Sequence, residues 1–128
     1  MIFVDANVVI HHVGRRHPLR DEARALVMRA LERGQRLVAS AEVLQEVFHY
    51  YHRSGRTAAM DDAFALLERV VAEVWPVEEA DVARARSLAR RYPGLEARDL
   101  VHLACCVRRD ARDLLTFDRG LAAAWEAR

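Results

Sequence analysis

The sequence predicts an α/β fold in which a central parallel sheet of about four short strands is flanked by helices on both faces. Short apolar runs alternate with longer segments whose apolar residues recur at helical spacing. This alternation is typical of parallel sheets, whose strands are buried under crossover helices. The length of 128 residues fits one domain, residues 1–128, and 52% hydrophobic residues can fill a core.

The first half of the chain contains two predicted strands and three predicted helices. The first strand covers residues 2–4, Val8-Val9-Ile10 extends its apolar character, and a loop follows from His12 to Pro18. A helix over 19–32 is expected to end at Gly34. After a second strand at 37–39, Ser40 caps a helix over 41–53, and Thr57 caps the next one. The buried face of that last helix, residues 63–71, could also serve a dimer.

The second half repeats the pattern. A strand is predicted at 73–77, a helix at 78–91 that Pro93-Gly94 interrupts, and another helix at 97–109. A fourth strand at 114–117 and a short helix at 119–126 complete the chain. No apolar run approaches the roughly 18 residues of a membrane helix, and the first residues lack the basic segment of a signal peptide. We therefore expect a cytoplasmic protein.

The composition excludes several functional classes. All 20 basic residues are arginine, so mechanisms that require a lysine, such as a Walker A nucleotide site or a Schiff base, are ruled out. The three serines lie in no G-x-S-x-G turn, which disfavours a serine hydrolase. Cys105 and Cys106 are adjacent, a poor spacing for a disulfide or a redox motif. Six histidines are present without a zinc-binding pattern.

Two acidic residues follow predicted strands, which is where parallel α/β sheets form their sites. Asp5 ends the first strand and Asp118 follows the fourth. Asp5 is the stronger candidate because it interrupts an apolar run, where a carboxylate is costly to bury without a partner. An ordinary turn or N-cap aspartate remains the alternative for it.

Two further acids lie on predicted helices. Glu46 is beyond the first turn of its helix, so the helix dipole does not explain it as it explains Glu42. Asp99 and Glu96 could be ordinary acids at a helix N-terminus, and Glu46 alone could be solvated surface. Together, four clustered carboxylates would repel one another unless a divalent cation neutralised them. Oxygen ligands suit Mg²⁺ or Mn²⁺, which can activate water against a phosphodiester.

At these positions the sequence resembles the PIN domains, and among them the VapC-type toxins of bacterial toxin–antitoxin pairs. The resemblance covers essentially the whole chain. Val4-Asp5-Ala6-Asn7 is similar to the opening V-D-x-N motif, and Ser40 with Glu46 to the S-x5-E motif. The run 97–104 around Asp99 resembles the third motif, and Thr116-Phe117-Asp118-Arg119 resembles the closing T-x-D motif.

The resemblance implies a PIN-like fold and a metal-dependent ribonuclease that hydrolyses RNA. It implies that four acids form the catalytic cluster, with Mg²⁺ or Mn²⁺ held chiefly by three of them: catalytic Asp5, Glu46, Asp99 and Asp118; metal-binding Asp5, Asp99 and Asp118. Asn7 would orient Asp5, and Ser40 and Thr116 would act similarly. A cognate VapB-like antitoxin and a homodimer are also implied.

Other residues and functions remain open at this point. Arg15, Arg16 and Arg53 are candidate contacts for the RNA backbone, because they lie near segments that hold motif acids. His102 could orient a substrate, although a core or boundary position is favoured for it. The alternatives to a toxin are a catalytically weak PIN-like module that binds RNA or protein, and a housekeeping RNA-processing nuclease.

Overall fold

The computed structural model describes all residues, 1–128, as four parallel strands and seven helices. The strands are β1 (Ile2–Val4), β2 (Leu37–Ser40), β3 (Glu73–Trp75) and β4 (Asp113–Leu115). The helices are α1 (Ala6–Val13), α2 (Pro18–Glu32), α3 (Ala41–Ser54), α4 (Thr57–Val70), α5 (Glu79–Arg91), α6 (Ala97–Arg108) and α7 (Arg119–Ala127). The predicted α/β architecture is therefore confirmed.

The order of the strands determines where a site can form. The sheet runs β3-β2-β1-β4, with every neighbouring pair parallel. The chain moves outward from β1 to β3 and then crosses back to place β4 on the other side of β1. Helices α1 to α4 pack together, and helices α5 to α7 form a second group. A crevice therefore opens at the carboxyl ends of β1 and β4.

The core surrounds the central strand and one central helix. Phe3 of β1 is completely buried, and its ring stacks with Trp75 at 5.9 Å between centroids. Four consecutive residues of α6, Leu103 to Cys106, are also completely buried. Because this part of α6 is buried on every side, the helix is firmly held against the sheet. No helix of the chain has the length and apolarity needed to cross a membrane.

The structure corrects three details of the prediction. Residues 6–13 form helix α1, whereas an extended apolar segment followed by a loop was expected. The helix begins there because the Asp5 side chain accepts a hydrogen bond from the Ala6 amide, and Val8 and Val9 turn into the core. Thr57 is the first residue of α4 and not its cap, since Arg56 occupies the N-cap position without a side-chain bond. Strands β3 and β4 end earlier than predicted, at Trp75 and Leu115.

The face of α4 that could have served a dimer is used within the chain. Ala63, Leu66 and Leu67 are buried in the protein's own core. That face therefore offers no support for dimerisation.

Helices α5 and α6 are joined by a buried ion cluster. Asp81 is completely buried and accepts hydrogen bonds from Arg108 at 2.6 Å and Arg109 at 2.8 Å. It also accepts from the Glu78 amide, which caps α5. These bonds compensate the cost of burying the charge and hold the pKa of Asp81 well below its ordinary value, despite the opposing effect of burial.

Candidate active site

A cleft of about 770 Å³ opens at the carboxyl ends of β1 and β4. All four acids identified from the sequence line it: Asp5, Glu46, Asp99 and Asp118. They come from four separate elements, because Asp5 follows β1, Glu46 is on α3, Asp99 is on α6 and Asp118 precedes α7. The topology of the sheet thus gathers residues that are up to 113 positions apart in sequence.

Asp5 is fixed at the floor of the cleft by several donors. It is 3% exposed and occupies the N-cap of α1 in an extended conformation. Its Oδ1 accepts a hydrogen bond from the backbone amide of Ala6 at 2.7 Å. Its Oδ2 accepts from the Thr116 hydroxyl at 2.7 Å and from the side-chain amide of Asn7 at 3.2 Å. Each oxygen has two lone pairs, so Oδ1 retains one that can bind a cation or a water molecule.

Thr116 and Asn7 connect the end of β1 to the loop after β4. The Thr116 hydroxyl donates to Asp5 and accepts from the Asp118 amide at 3.0 Å and from Asn7 at 3.2 Å. Asn7 Oδ1 accepts from the Phe117 amide at 3.1 Å. The network fixes both the orientation of Asp5 and the position of the loop that leads to Asp118.

Ser40 has a different part in the structure from the one implied by the resemblance. Its hydroxyl oxygen accepts from the Val43 amide at 3.3 Å and caps α3. It makes no hydrogen bond with any of the four acids, so it acts on Glu46 only by fixing where α3 begins. The capping itself was predicted from the sequence.

Glu46 reaches the cleft floor and meets a histidine there. His102 of α6 is completely buried, and its Nε2 lies 2.9 Å from Glu46 Oε1 and 3.5 Å from Asp5 Oδ1. Potential metal-ligand atoms of Asp5, Glu46 and His102 all lie within 4.8 Å of one another. Asp99 and Asp118 share the cleft without belonging to this close group.

His102 is the residue of this site that sequence analysis did not assign to it. Its burial agrees with the core position favoured there, but its contact with Glu46 was not anticipated. The only signal was its position three residues after Asp99 on one helix, which places the two side chains on adjacent parts of one face.

Asp99 and Asp118 are the other two acids that line the cleft. Asp99 is in the first turn of α6, and Asp118 caps α7, where its Oδ1 accepts from the Leu121 amide at 2.9 Å. Gly120 lines the cleft beside Asp118, and a Cβ added there would lie only 3.3 Å from Asp118 Oδ1. A larger residue at that position would press on the carboxylate.

Several carboxyl groups lie close together in the cleft, and this affects their pKa values. Burial, followed by the charges of Asp118 and Asp5, raises the pKa of Asp99 from 3.8 to about 6. Burial is also the main cause that raises the pKa of Asp5, against the opposing effects of His102 and Thr116. The pKa of Glu42, one turn before Glu46, is raised for similar reasons. Carboxyl groups with raised pKa values that converge on a cleft are typical of functional sites.

The donor set fits a hard divalent cation. Carboxylate oxygens from four elements face one open cleft, and a bound cation would remove the repulsion that raises the pKa of Asp99. Such oxygen-rich sites suit Mg²⁺ or Mn²⁺.

Of the three arginines suggested as RNA contacts, the structure places only one in the cleft. Arg53 lines the cleft about two helical turns after Glu46 on the same face of α3, and Tyr50 lines it as well. Arg15 and Arg16 are exposed between α1 and α2 and do not line it. Arg98, which the sequence analysis did not select, also lines the cleft, and its guanidinium lies 3.9 Å from Glu46 and 2.9 Å from Glu96.

Comparisons with known proteins agree with this geometry. The family model described as PIN domain matches residues 2–125. Ribonuclease VapC23 of Mycobacterium tuberculosis is 52% identical over 127 residues, covering 99% of this chain and 100% of the relative. The crystal structure of Mycobacterium tuberculosis VapC20, described as a sarcin-ricin loop cleaving toxin, superposes with a TM-score of 0.78 at 21% identity, covering 97% and 95% of the two chains.

A third similarity is to VapBC2 from Rickettsia felis, solved bound to a DNA fragment from their promoter. It has a TM-score of 0.68 at 13% identity and covers 92% of this chain and 88% of that one. The family match over residues 2–125 includes every residue that lines the cleft.

Proposed function

Because the chain belongs to the PIN-domain family and is a VapC-type ribonuclease, we propose that it hydrolyses RNA at the carboxylate cleft with Mg²⁺ or Mn²⁺. The observation that supports this most is the convergence of four carboxylates from four elements on one open cleft, with Asp5 fixed at its floor. Metal-assisted phosphodiester hydrolysis uses such clusters of carboxylates to hold its cations.

Some residues of the cleft would bind the cation, and others would orient the residues that bind it. Asp5, Asp99 and Asp118 would chiefly hold the cation, and Glu46 would offer it a further carboxylate oxygen. When bound, the cation supplies charge neutralisation at the phosphate and lowers the pKa of a water molecule. Thr116 and Asn7 keep Asp5 in one orientation, so that little reorganisation is needed when the substrate arrives.

The rim of the cleft would bind the RNA backbone. Arg53 is exposed on the same helix as Glu46, and its planar guanidinium matches the geometry of a phosphate. Since Arg15 and Arg16 lie outside the cleft, any contact they make would be with a more distant part of the substrate.

We also propose the assembly implied by the VapC resemblance. A VapB-like antitoxin would neutralise the enzyme, and the toxin would act as a homodimer in the cytoplasm, where its RNA substrate is found. The support is the full-length similarity to a relative named as a VapC ribonuclease. Co-expression with the product of an adjacent small gene, followed by size-exclusion chromatography with light scattering, tests both the partner and the dimer.

The catalytic proposal is tested with purified, antitoxin-free protein and total bacterial RNA. We expect discrete cleavage products in Mg²⁺ or Mn²⁺ that disappear in EDTA and in Asp5→Asn. Asp61→Asn is the matched control, because Asp61 is an exposed aspartate on α4 that does not line the cleft. If the folded wild type cleaves no RNA with any cation, the protein is better described as a PIN-like module that only binds RNA or protein.

The effect of expression on cell growth distinguishes a toxin from a housekeeping RNA-processing nuclease with the same fold. A toxin stops growth when expressed without its partner, and Asp5→Asn abolishes that arrest. A processing enzyme leaves growth intact and matures a defined precursor RNA.

A further inference from the structure

We propose that His102 is a positioning residue that acts through Glu46 and is not itself a cation ligand. Its ring would hold the Glu46 carboxylate against Asp5, so that two acids from different elements are ready to share a cation. The inference rests on the proposed function, since it concerns the same cleft.

The direction of the hydrogen bond identifies the tautomer. Nε2 of His102 lies 2.9 Å from Glu46 Oε1. An ionised carboxylate only accepts hydrogen bonds, so Nε2 must bear the proton and donate. A nitrogen that bears a proton has no lone pair for a metal. His102 could become a ligand only by losing that proton and giving up its bond with Glu46.

The surroundings of the ring show that this bond determines its orientation. His102 is completely buried, and its ring packs against Phe3 at 5.4 Å between centroids. The opposite ring nitrogen, Nδ1, is buried and has no hydrogen-bond partner. An unpaired buried polar atom costs free energy, so an apolar residue would fill this space better if packing were the only requirement.

The position of His102 also explains why Glu46 needs support. Glu46 is on α3, in one helical group, whereas His102 is on α6, in the other. A glutamate side chain has three rotatable bonds and loses considerable entropy when it is fixed. A donor from a rigid, buried ring fixes Oε1 and leaves Oε2 free to bind a cation.

The test is a double-mutant cycle on Mn²⁺ binding, measured by isothermal titration calorimetry without RNA. His102→Leu removes the donor and retains the bulk, and His102→Gln keeps an N–H donor. We expect the Kd for Mn²⁺ to rise about 10- to 100-fold in His102→Leu and to stay within about threefold of wild type in His102→Gln. In a Glu46→Gln background, adding His102→Leu should have almost no further effect, because the two residues act as one unit.

Every other result overturns the inference. An unchanged Kd in His102→Leu would make His102 a packing residue. A full loss of affinity that persists in the Glu46→Gln background, without rescue by glutamine, would make it a ligand. Should the leucine variant fail to fold, judged by circular dichroism, His102→Met provides a flexible apolar replacement. A wild type that neither binds Mn²⁺ nor cleaves RNA would instead contradict the proposed function.

Discussion

Replacing Asp99 with asparagine is expected to stabilise the cation-free protein while weakening its affinity for a cation. Burial and the charges of Asp118 and Asp5 raise the pKa of Asp99 from 3.8 to about 6. This change in pKa corresponds to about 3 kcal/mol at most, because a tenfold change in the acid dissociation constant is about 1.36 kcal/mol. Asp99 is partly exposed, so solvent screens the repulsion, and the α6 dipole favours an acid there. We therefore expect a gain of about 1–2 kcal/mol.

The gain in stability of Asp99→Asn should depend on pH, and its direction follows from the raised pKa of Asp99. A carboxyl group with a raised pKa in the folded state lowers stability as pH rises from about 4 to about 6, because the folded protein binds more protons in that window. At pH 7.5 the penalty is complete in the wild type and absent in Asp99→Asn. Near pH 4 both proteins have a neutral group at this position, and the difference should shrink towards zero.

Urea denaturation in EDTA at pH 7.5 and pH 4.5 measures both effects, with Asp61→Asn as the exposed control. A variant that is less stable than wild type at pH 7.5 would refute the account of crowded charge. So would an equal gain at both pH values, since a difference in packing or helix propensity does not titrate.

Three further predictions follow from the contacts of the cleft and the core. Asp81→Ala leaves the guanidinium groups of Arg108 and Arg109 without their shared partner and should destabilise the fold by about 3–5 kcal/mol in urea; a loss under 1 kcal/mol would show that the cluster is only superficial. Thr116→Val should weaken Mn²⁺ binding about tenfold, whereas Thr116→Ser should retain it; equal calorimetric Kd values for both variants would contradict this. The wild-type affinity for Mn²⁺ should fall about fourfold between pH 7.5 and 5.5, as protons compete for Asp99, and a constant Kd would argue against Asp99 as a ligand.

The parts of the fold that were predicted correctly have strong local signals. The four strands are short apolar runs, and most helices show an apolar stripe over three or more turns. Helix α1 was missed because it has only eight residues, follows a strand without a linker and begins with a mixed pattern. Its start depends on the Asp5 cap, a role that the sequence left open only as the alternative for this aspartate.

The site was predictable only where motifs mark it. Asp5 and Asp118 follow strands whose carboxyl ends meet at the switch in strand order, so sequence position and topology agree. His102 could not be assigned in this way. Its partner Glu46 is 56 residues away, and only the packing of α3 against α6 brings them together. On the sequence alone, a single histidine in an apolar helix is indistinguishable from a core residue.

The most direct test of the central claim is a crystal of the antitoxin-free protein soaked in Mn²⁺, with the anomalous signal recorded at the manganese edge. The account predicts a peak in the cleft, coordinated by Asp5 and at least one of Asp99 and Asp118, that is lost in Asp5→Asn. An empty cleft in a protein that still cleaves RNA, or a peak bound only by residues outside it, would contradict the account.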